Sequence, residues 1–246
     1  MKKFILVIFI FLCTGTSALA DGKFLQYNVQ GKSYEGYFVS PGEKSPLILL
    51  IHDWDGLTDY EVKRADMLSD LGYTVFAVDL FGTGIRPTEV TDRRQHTGEL
   101  YKDREKMRTL IMAGLNTAKA NGADISNAVA MGYCFGGAAV LELARSGADL
   151  KGFVTFHGGL STPEGQDYSK AKGKYLILHG TADTAITMDD FATLARNFEE
   201  KKLPHEMITY GGAPHAFTIF GSDRYHEDAD KKSWNRFVSF LKETLH

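Results

Sequence analysis

The stretch Ala130-Met131-Gly132-Tyr133-Cys134-Phe135-Gly136-Gly137 constrains this chain more than any other, because an apolar, strand-like run turns there into a helix-like run through closely spaced glycines. A side chain at the apex of such a strand-to-helix turn stands above the edge of a sheet, and the flanking glycines are needed because larger side chains would collide with the tight backbone. The apex is Cys134, in a Gly-x-nucleophile-x-Gly pattern with cysteine in place of serine. Downstream, Asp183 and His215 each follow a predicted strand, so nucleophile, acid and histidine come in that order along the chain.

The remainder reads as strands alternating with helices. Residues 24–29 and 33–39 flank Gln30-Gly31-Lys32 and alternate apolar with polar side chains, the pattern of a half-exposed antiparallel hairpin at a sheet edge. Residues 47–51 are continuously apolar and lead into His52, as expected of a parallel strand buried on both faces. Residues 58–71 predict a helix ended by Gly72, 73–78 a second buried strand, and 81–87 a Gly-rich loop. The charged segment 92–121 reads as one long, mostly helical stretch. Strands follow at 125–133, 152–156, 175–178 and 206–210, with helices at 136–145 and 188–201. An amphipathic helix at 231–245 closes the chain, with Trp234, Phe237, Val238, Phe240 and Leu241 directed inward. No repeat or linker interrupts this alternation, which predicts one α/β domain on a doubly wound, mostly parallel sheet; 246 residues suit one such domain better than two.

A hydrophobic content of 43% with 24% charged residues sets disordered, collagen-like and fibrous readings aside. Met1-Lys2-Lys3, an apolar run over 4–12 and then Ala18-Leu19-Ala20 have the form of a secretory signal peptide cleaved before Asp21, leaving a domain over 21–246. The apolar run is too short for a membrane span of about 20 residues. Leu12 also stands before Cys13 where a lipoprotein signal carries a small residue. Export to the periplasm, with no stable membrane association after cleavage, is the expectation. Cleavage leaves 26 basic against 31 acidic side chains, about −5, which gives no sign of binding to nucleic acid. It also leaves Cys134 without an intramolecular disulfide partner. A single thiol kept on a Gly-rich turn in an exported chain points to reactivity rather than packing.

A cysteine nucleophile needs a base for its proton and a carboxylate to fix that base's tautomer. Gly212-Ala213-Pro214-His215-Ala216-Phe217 and Leu178-His179-Gly180-Thr181-Ala182-Asp183 each put the required residue on a loop just past a strand. A thiol of pKa about 8.5 is expected to ionise readily beside such a histidine. His52, His157 and His179 stand at strand ends but lack the HExxH or CxxC spacing of a zinc site. Gly82-Thr83-Gly84 lacks the remaining glycine and lysine of a phosphate-binding loop and is read as part of a pocket rim. Neither a metal nor a cofactor is expected.

The motifs MGYCFGG, LHGTAD and GGAPHAF, with the early HDWDG and AVDLFGTG, resemble the dienelactone hydrolase family of α/β-hydrolases, over a span from about Gly36 to the C-terminus. The resemblance implies an α/β-hydrolase fold with an N-terminal antiparallel hairpin, and Cys134, Asp183 and His215 as nucleophile, orienting acid and base. It implies an oxyanion held by the backbone N–H groups of Phe135 and Trp54. The activity implied is carboxymethylenebutenolidase-type hydrolysis of small-molecule esters or lactones, without a cofactor, through a thiol-ester acyl-enzyme. The family carries a glutamate in the early loop where this chain has Asp53, one methylene shorter, so proton-accepting and loop-stabilising roles both stay open. Members that cleave dienelactones hold the substrate carboxylate with arginines at positions that fall here on about Thr83 and Ile219, neither basic; Arg86 lies near enough in sequence to substitute. A non-catalytic ligand-binding or thiol-sensing protein on the same fold is the alternative, since fold alone does not fix function.

Overall fold

The structure, a computed structural model, describes residues 21–246; the expected leader over 1–20, with Cys13, lies outside the described residues. Eight strands among these residues form one sheet: β1 (Lys23–Val29), β2 (Lys32–Val39), β3 (Pro46–Ile51), β4 (Thr74–Val78), β5 (Asp124–Tyr133), β6 (Gly152–Phe156), β7 (Lys174–Gly180) and β8 (His205–Tyr210). Their spatial order is β1-β2-β4-β3-β5-β6-β7-β8. β1–β2 and β2–β4 pair antiparallel and every other pair is parallel. The mostly parallel α/β sheet with an N-terminal hairpin is therefore the one the sequence predicts. Gln30 and Gly31 turn the hairpin with φ of 51° and 82°, the doubly left-handed backbone whose twist matches that of the flanking strands.

The continuous apolar run of β3 is explained by its place in mid-sheet. Leu47, Leu49 and Ile51 face one core, and Ile48 and Leu50 face the other. Successive strand residues point to opposite faces, so only a strand covered on both sides buries all five, each contributing about 1.5–3 kcal/mol by leaving water. The first face is covered by α3 (Arg104–Ala120), α4 (Phe135–Arg145) and α5 (Met188–Lys201) through residues such as Leu110, Val140 and Phe198. The second is covered by α1 (Asp59–Ser69) and α6 (Glu227–Thr244) through Leu68 and Phe237.

Two boundaries differ from the sequence reading. The stretch 92–121 is two helices, α2 (Val90–Lys102) and α3, divided at Asp103, whose φ of −112° and ψ of 79° leave the helical region. The Asp103 carboxylate accepts the Lys106 N–H at 2.9 Å and so caps α3, which then lays Met107, Leu110, Ile111, Leu115 and Ala118 on the sheet. The closing helix begins at Glu227, four residues earlier than its apolar stripe suggests. His226 caps it, and Glu227–Lys231 and Asp228–Lys232 pair along its exposed first turns. Within it Phe237, Phe240 and Leu241 are buried, while Trp234 and Val238 are half-buried.

The loops after β3, β5, β7 and β8 leave the sheet at its carboxyl edge, where open α/β sheets bind ligands. They carry Asp53, Cys134, Asp183 and His215 respectively.

Candidate active site

Cys134 joins β5 to α4 with φ 49° and ψ −112°, a backbone that side-chain-bearing residues rarely adopt. The turn around it tolerates no bulk. A Cβ on Gly132 would come 2.3 Å from the carbonyl carbon of Gly136, and one on Gly136 would come 2.2 Å from the Ile51 carbonyl oxygen. The Cys134 N–H donates to the Phe156 carbonyl at 3.1 Å, and its own carbonyl accepts from Gly137 N–H at 3.1 Å, so the strained residue is held from both sides.

The loops after β7 and β8 bring the acid and the histidine to this apex. His215 Nδ1–H donates to Asp183 Oδ2 at 2.7 Å, and His215 Nε2 lies 3.1 Å from Cys134 Sγ, placed to accept the thiol proton. The other oxygen of Asp183 accepts the N–H groups of Ala185 and Ile186, both at 2.9 Å. Burial pushes the Asp183 carboxyl up, but the His215 bond and charge with these two N–H groups outweigh it and hold the group below the usual carboxylate range. Asp183 is thus an anion whose free oxygen is aimed at one ring nitrogen.

The thiol itself is not poised as a thiolate. Burial, then the negative charge of Asp53 and a hydrogen bond to it, push Cys134 well above the ordinary thiol range. This corrects the expectation of a readily ionised cysteine: the desolvation and the acid beside it were invisible in the motif. Asp53 is in turn pushed up to about 6, by burial first and by Asp55 second. The Phe135 N–H opens α4, where first-turn donors have no intrahelical acceptor. The Trp54 N–H donates to Asp53 Oδ1 and is already engaged. Arg93 lies 5.3 Å from the Trp54 ring and 3.9 Å from Asp55, steadying the loop from α2.

A cavity of about 320 Å³ opens on Cys134, His215, Asp53 and Trp54, with Tyr101, Phe135 and Ile186 as its less polar walls. A larger polar cleft of about 410 Å³ between Arg108, Arg145 and Lys170 contains neither a thiol nor a histidine. Arg86 does not line the cavity at Cys134. It donates to the Leu57 carbonyl, to the Ile85 carbonyl at 2.8 Å and to Glu35 at 3.3 Å, and clasps the loop after β4. Gly82-Thr83-Gly84 is drawn away as well: Gly82 N–H bonds Asp79, and Thr83 Oγ1 lies 3.0 Å from Ser33 Oγ of the hairpin. The arginines that do line the cavity are Arg94 of α2 and Arg224 of the loop after β8. Both are exposed, and neither forms an ion pair among the described residues. Sequence reading missed them because each sits in an ordinary polar stretch and meets the cavity only through the tertiary fold, Arg94 on α2 and Arg224 on the loop after β8.

The strand-end histidines are separately employed. His52 donates Nδ1–H to the Asp53 carbonyl at 2.6 Å and accepts Leu80 N–H at Nε2, and burial lowers it to about 4. His179 is buried and stacks on Phe191 at 5.6 Å. His157 packs edge-on against His215, ring centres 5.4 Å apart.

Comparison with known proteins agrees with this architecture. Residues 34–245 match the profile described as the dienelactone hydrolase family. The solved structure of m3DLH is 28% identical, with a TM-score of 0.87 over 93% of this chain and 100% of that one. A dienelactone hydrolase-like promiscuous phosphotriesterase from metagenomic libraries is 27% identical, with a TM-score of 0.86 over the same shares. Protein usf of Aquifex pyrophilus is 23% identical over 91% of this chain and 99% of its own length.

Proposed function

Because the chain belongs to the dienelactone hydrolase family and is a hydrolase, we propose that it cleaves small carboxylic esters or lactones through a thioester on Cys134. The observation that carries this reading is the hydrogen-bonded series from Asp183 through His215 to Cys134 at the wall of one cavity. In the first step His215 Nε2 takes the thiol proton as Sγ bonds to the carbonyl carbon. The carbonyl electron pair moves to oxygen, which the N–H groups of Phe135 and Trp54 receive; each such donor is worth about 10²–10³ in rate. Collapse expels the alkoxide, and His215 returns the proton to it. Water then attacks the thioester with His215 as base, and the proton ends on Sγ. Proton transfer at the moment of attack suits a thiol kept neutral by burial and Asp53. A raised thiol also argues against the thiol-sensing alternative, since redox-sensor cysteines are low-pKa groups.

Arg94 and Arg224 supply two uncompensated cations at the cavity, so the favoured substrate carries an anionic group away from the scissile carbonyl. The test is turnover of a panel of short aryl esters and lactones with and without a carboxylate. Cys134→Ala is expected to abolish turnover, Cys134→Ser to keep a small residue, and Asp183→Asn to lower kcat about 10⁴-fold. Wild-type rates in Cys134→Ala overturn the mechanism. We also propose that residues 1–20 are an export leader, on the basic start and Ala18-Leu19-Ala20; exported protein is expected to begin at Asp21.

A further inference from the structure

His215 sits on a stretch from 211 to 226 that has no helix or strand, so nothing repetitive in the backbone fixes its ring. The residue after it, Ala216, has φ 63°, a left-handed backbone that a non-glycine residue holds only when its surroundings over-determine it. What over-determines it converges three residues beyond the histidine, on Thr218, whose side chain and backbone are fully buried. The Thr218 hydroxyl lies 2.7 Å from Tyr60 Oη and 2.7 Å from His157 Nε2. Its carbonyl accepts from Arg64 Nη2 at 2.9 Å, and Arg64 Nε donates to Tyr60 Oη at 3.3 Å. His157, itself held at φ 41°, packs its ring edge-on against that of His215, ring centres 5.4 Å apart.

We propose that Thr218 is the positioning residue for His215, locked by Tyr60 and Arg64 of α1 and by His157, so that one helix sets the base against the nucleophile. The same helix also holds the loop after β3. Glu61, in its first turn, accepts the Asp53 N–H at 3.3 Å and the Thr58 N–H at 2.8 Å, which fixes the loop that carries Trp54. α1 therefore spans the donor loop and the histidine loop, and their separation is set by a rigid element rather than by either loop. Arg64 is anchored for this purpose by the buried Asp230 of α6, with its guanidinium 4.1 Å from the Phe220 ring centre. His157 stays neutral beside His215, because burial, then the charges of His215 and Arg64, push it well below the usual histidine range.

This inference rests on the reaction proposed above, and its test separates the two. Thr218→Val removes the hydroxyl at nearly constant volume, Thr218→Ser keeps it, and both are assayed on a p-nitrophenyl ester alongside the unfolding midpoint of the same preparations. Thr218→Val is expected to lower kcat about 10–10²-fold, as loosening of a base by fractions of an ångström does, with KM within about threefold of wild type. Thr218→Ser is expected to recover kcat to within about threefold. Where Thr218→Val does not fold, Tyr60→Phe removes one partner of the same hydroxyl and is expected to lower kcat in the same direction. A lowered midpoint with wild-type kcat per folded molecule overturns the positioning role, and so does a Thr218→Ser variant as slow as Thr218→Val. Loss of activity in Cys134→Ala with full kcat in Thr218→Val defeats this inference alone; activity in Cys134→Ala defeats the reaction beneath it.

Discussion

Asp53 and Cys134 are two acids in one buried corner, and the charge of Asp53 raises the cost of ionising the thiol, whereas the hydrogen bond from the thiol eases ionisation of Asp53. The resting thiol is accordingly neutral, and iodoacetamide is expected to label Cys134 more slowly at pH 7 than it labels a free cysteine, with the rate climbing toward alkaline pH. Asp53→Asn removes the second-largest cause of the shift while leaving the burial, so its labelling rate at pH 7 is expected to rise. Equal rates in wild type and variant, followed by mass spectrometry of the single adduct, would remove Asp53 from the account. A fall in the labelling rate would instead mark Asp53 as a proton acceptor for the thiol, the first of the two roles left open for it, because losing a base slows alkylation.

At the scale of the element, the chain relies on short polar punctuation between long apolar runs. Asp103 is the clearest case: it ends α2 and caps α3 in a single residue, and α3 carries much of the packing on its face of the sheet. Asp103→Ala is expected to cost about 1 kcal/mol, the ordinary worth of an N-cap carboxylate, read as a lower urea midpoint with unchanged slope. The signal was present in the sequence as Asp103 ahead of an apolar-periodic run, but the charged residues on both sides hid the change of helix. The turn at Cys134 is the opposite case. Its glycine spacing was legible because the steric demand is local, and the structure shows the same demand as backbone atoms 2.2–2.3 Å from a Cβ added at Gly132 or Gly136.

At the scale of the molecule, stability is expected to fall as pH rises from 7 to 9. Glu61 is wholly buried at the start of α1, and burial pushes it up to about 8 against an ordinary value near 4.5. A group raised in the folded state contributes stability that is fully present below its unfolded pKa and is lost as pH climbs through the folded one. In this window Asp183, lowered in the fold, is ionised in both states, and the buried His52 and His157 are neutral in both, so none of the three contributes. Glu61→Gln removes the titration, and its urea midpoint is expected to fall less between pH 7 and 9 than that of wild type. Parallel slopes for the two proteins would show that Glu61 ionises normally.

The alternation of buried strands and amphipathic helices, the hairpin, the glycine turn and the strand-end placement of Asp183 and His215 all follow from the sequence alone. They depend on periodicity and on backbone sterics, which act over a few residues and leave their mark in the order of residue types. The protonated resting state of Cys134, the replacement of Arg86 by Arg94 and Arg224 at the cavity, the occupation of Trp54 N–H by Asp53 and the bracing of Thr218 by α1 were decided only by the tertiary structure. These depend on desolvation, on the local path of a loop and, for Cys134 and Thr218, on groups that meet across many intervening residues. Arg86 and Arg94 are equally basic in the sequence, and only the tertiary fold puts Arg94 of α2 at the cavity with Cys134 and leaves Arg86 clasping its own loop.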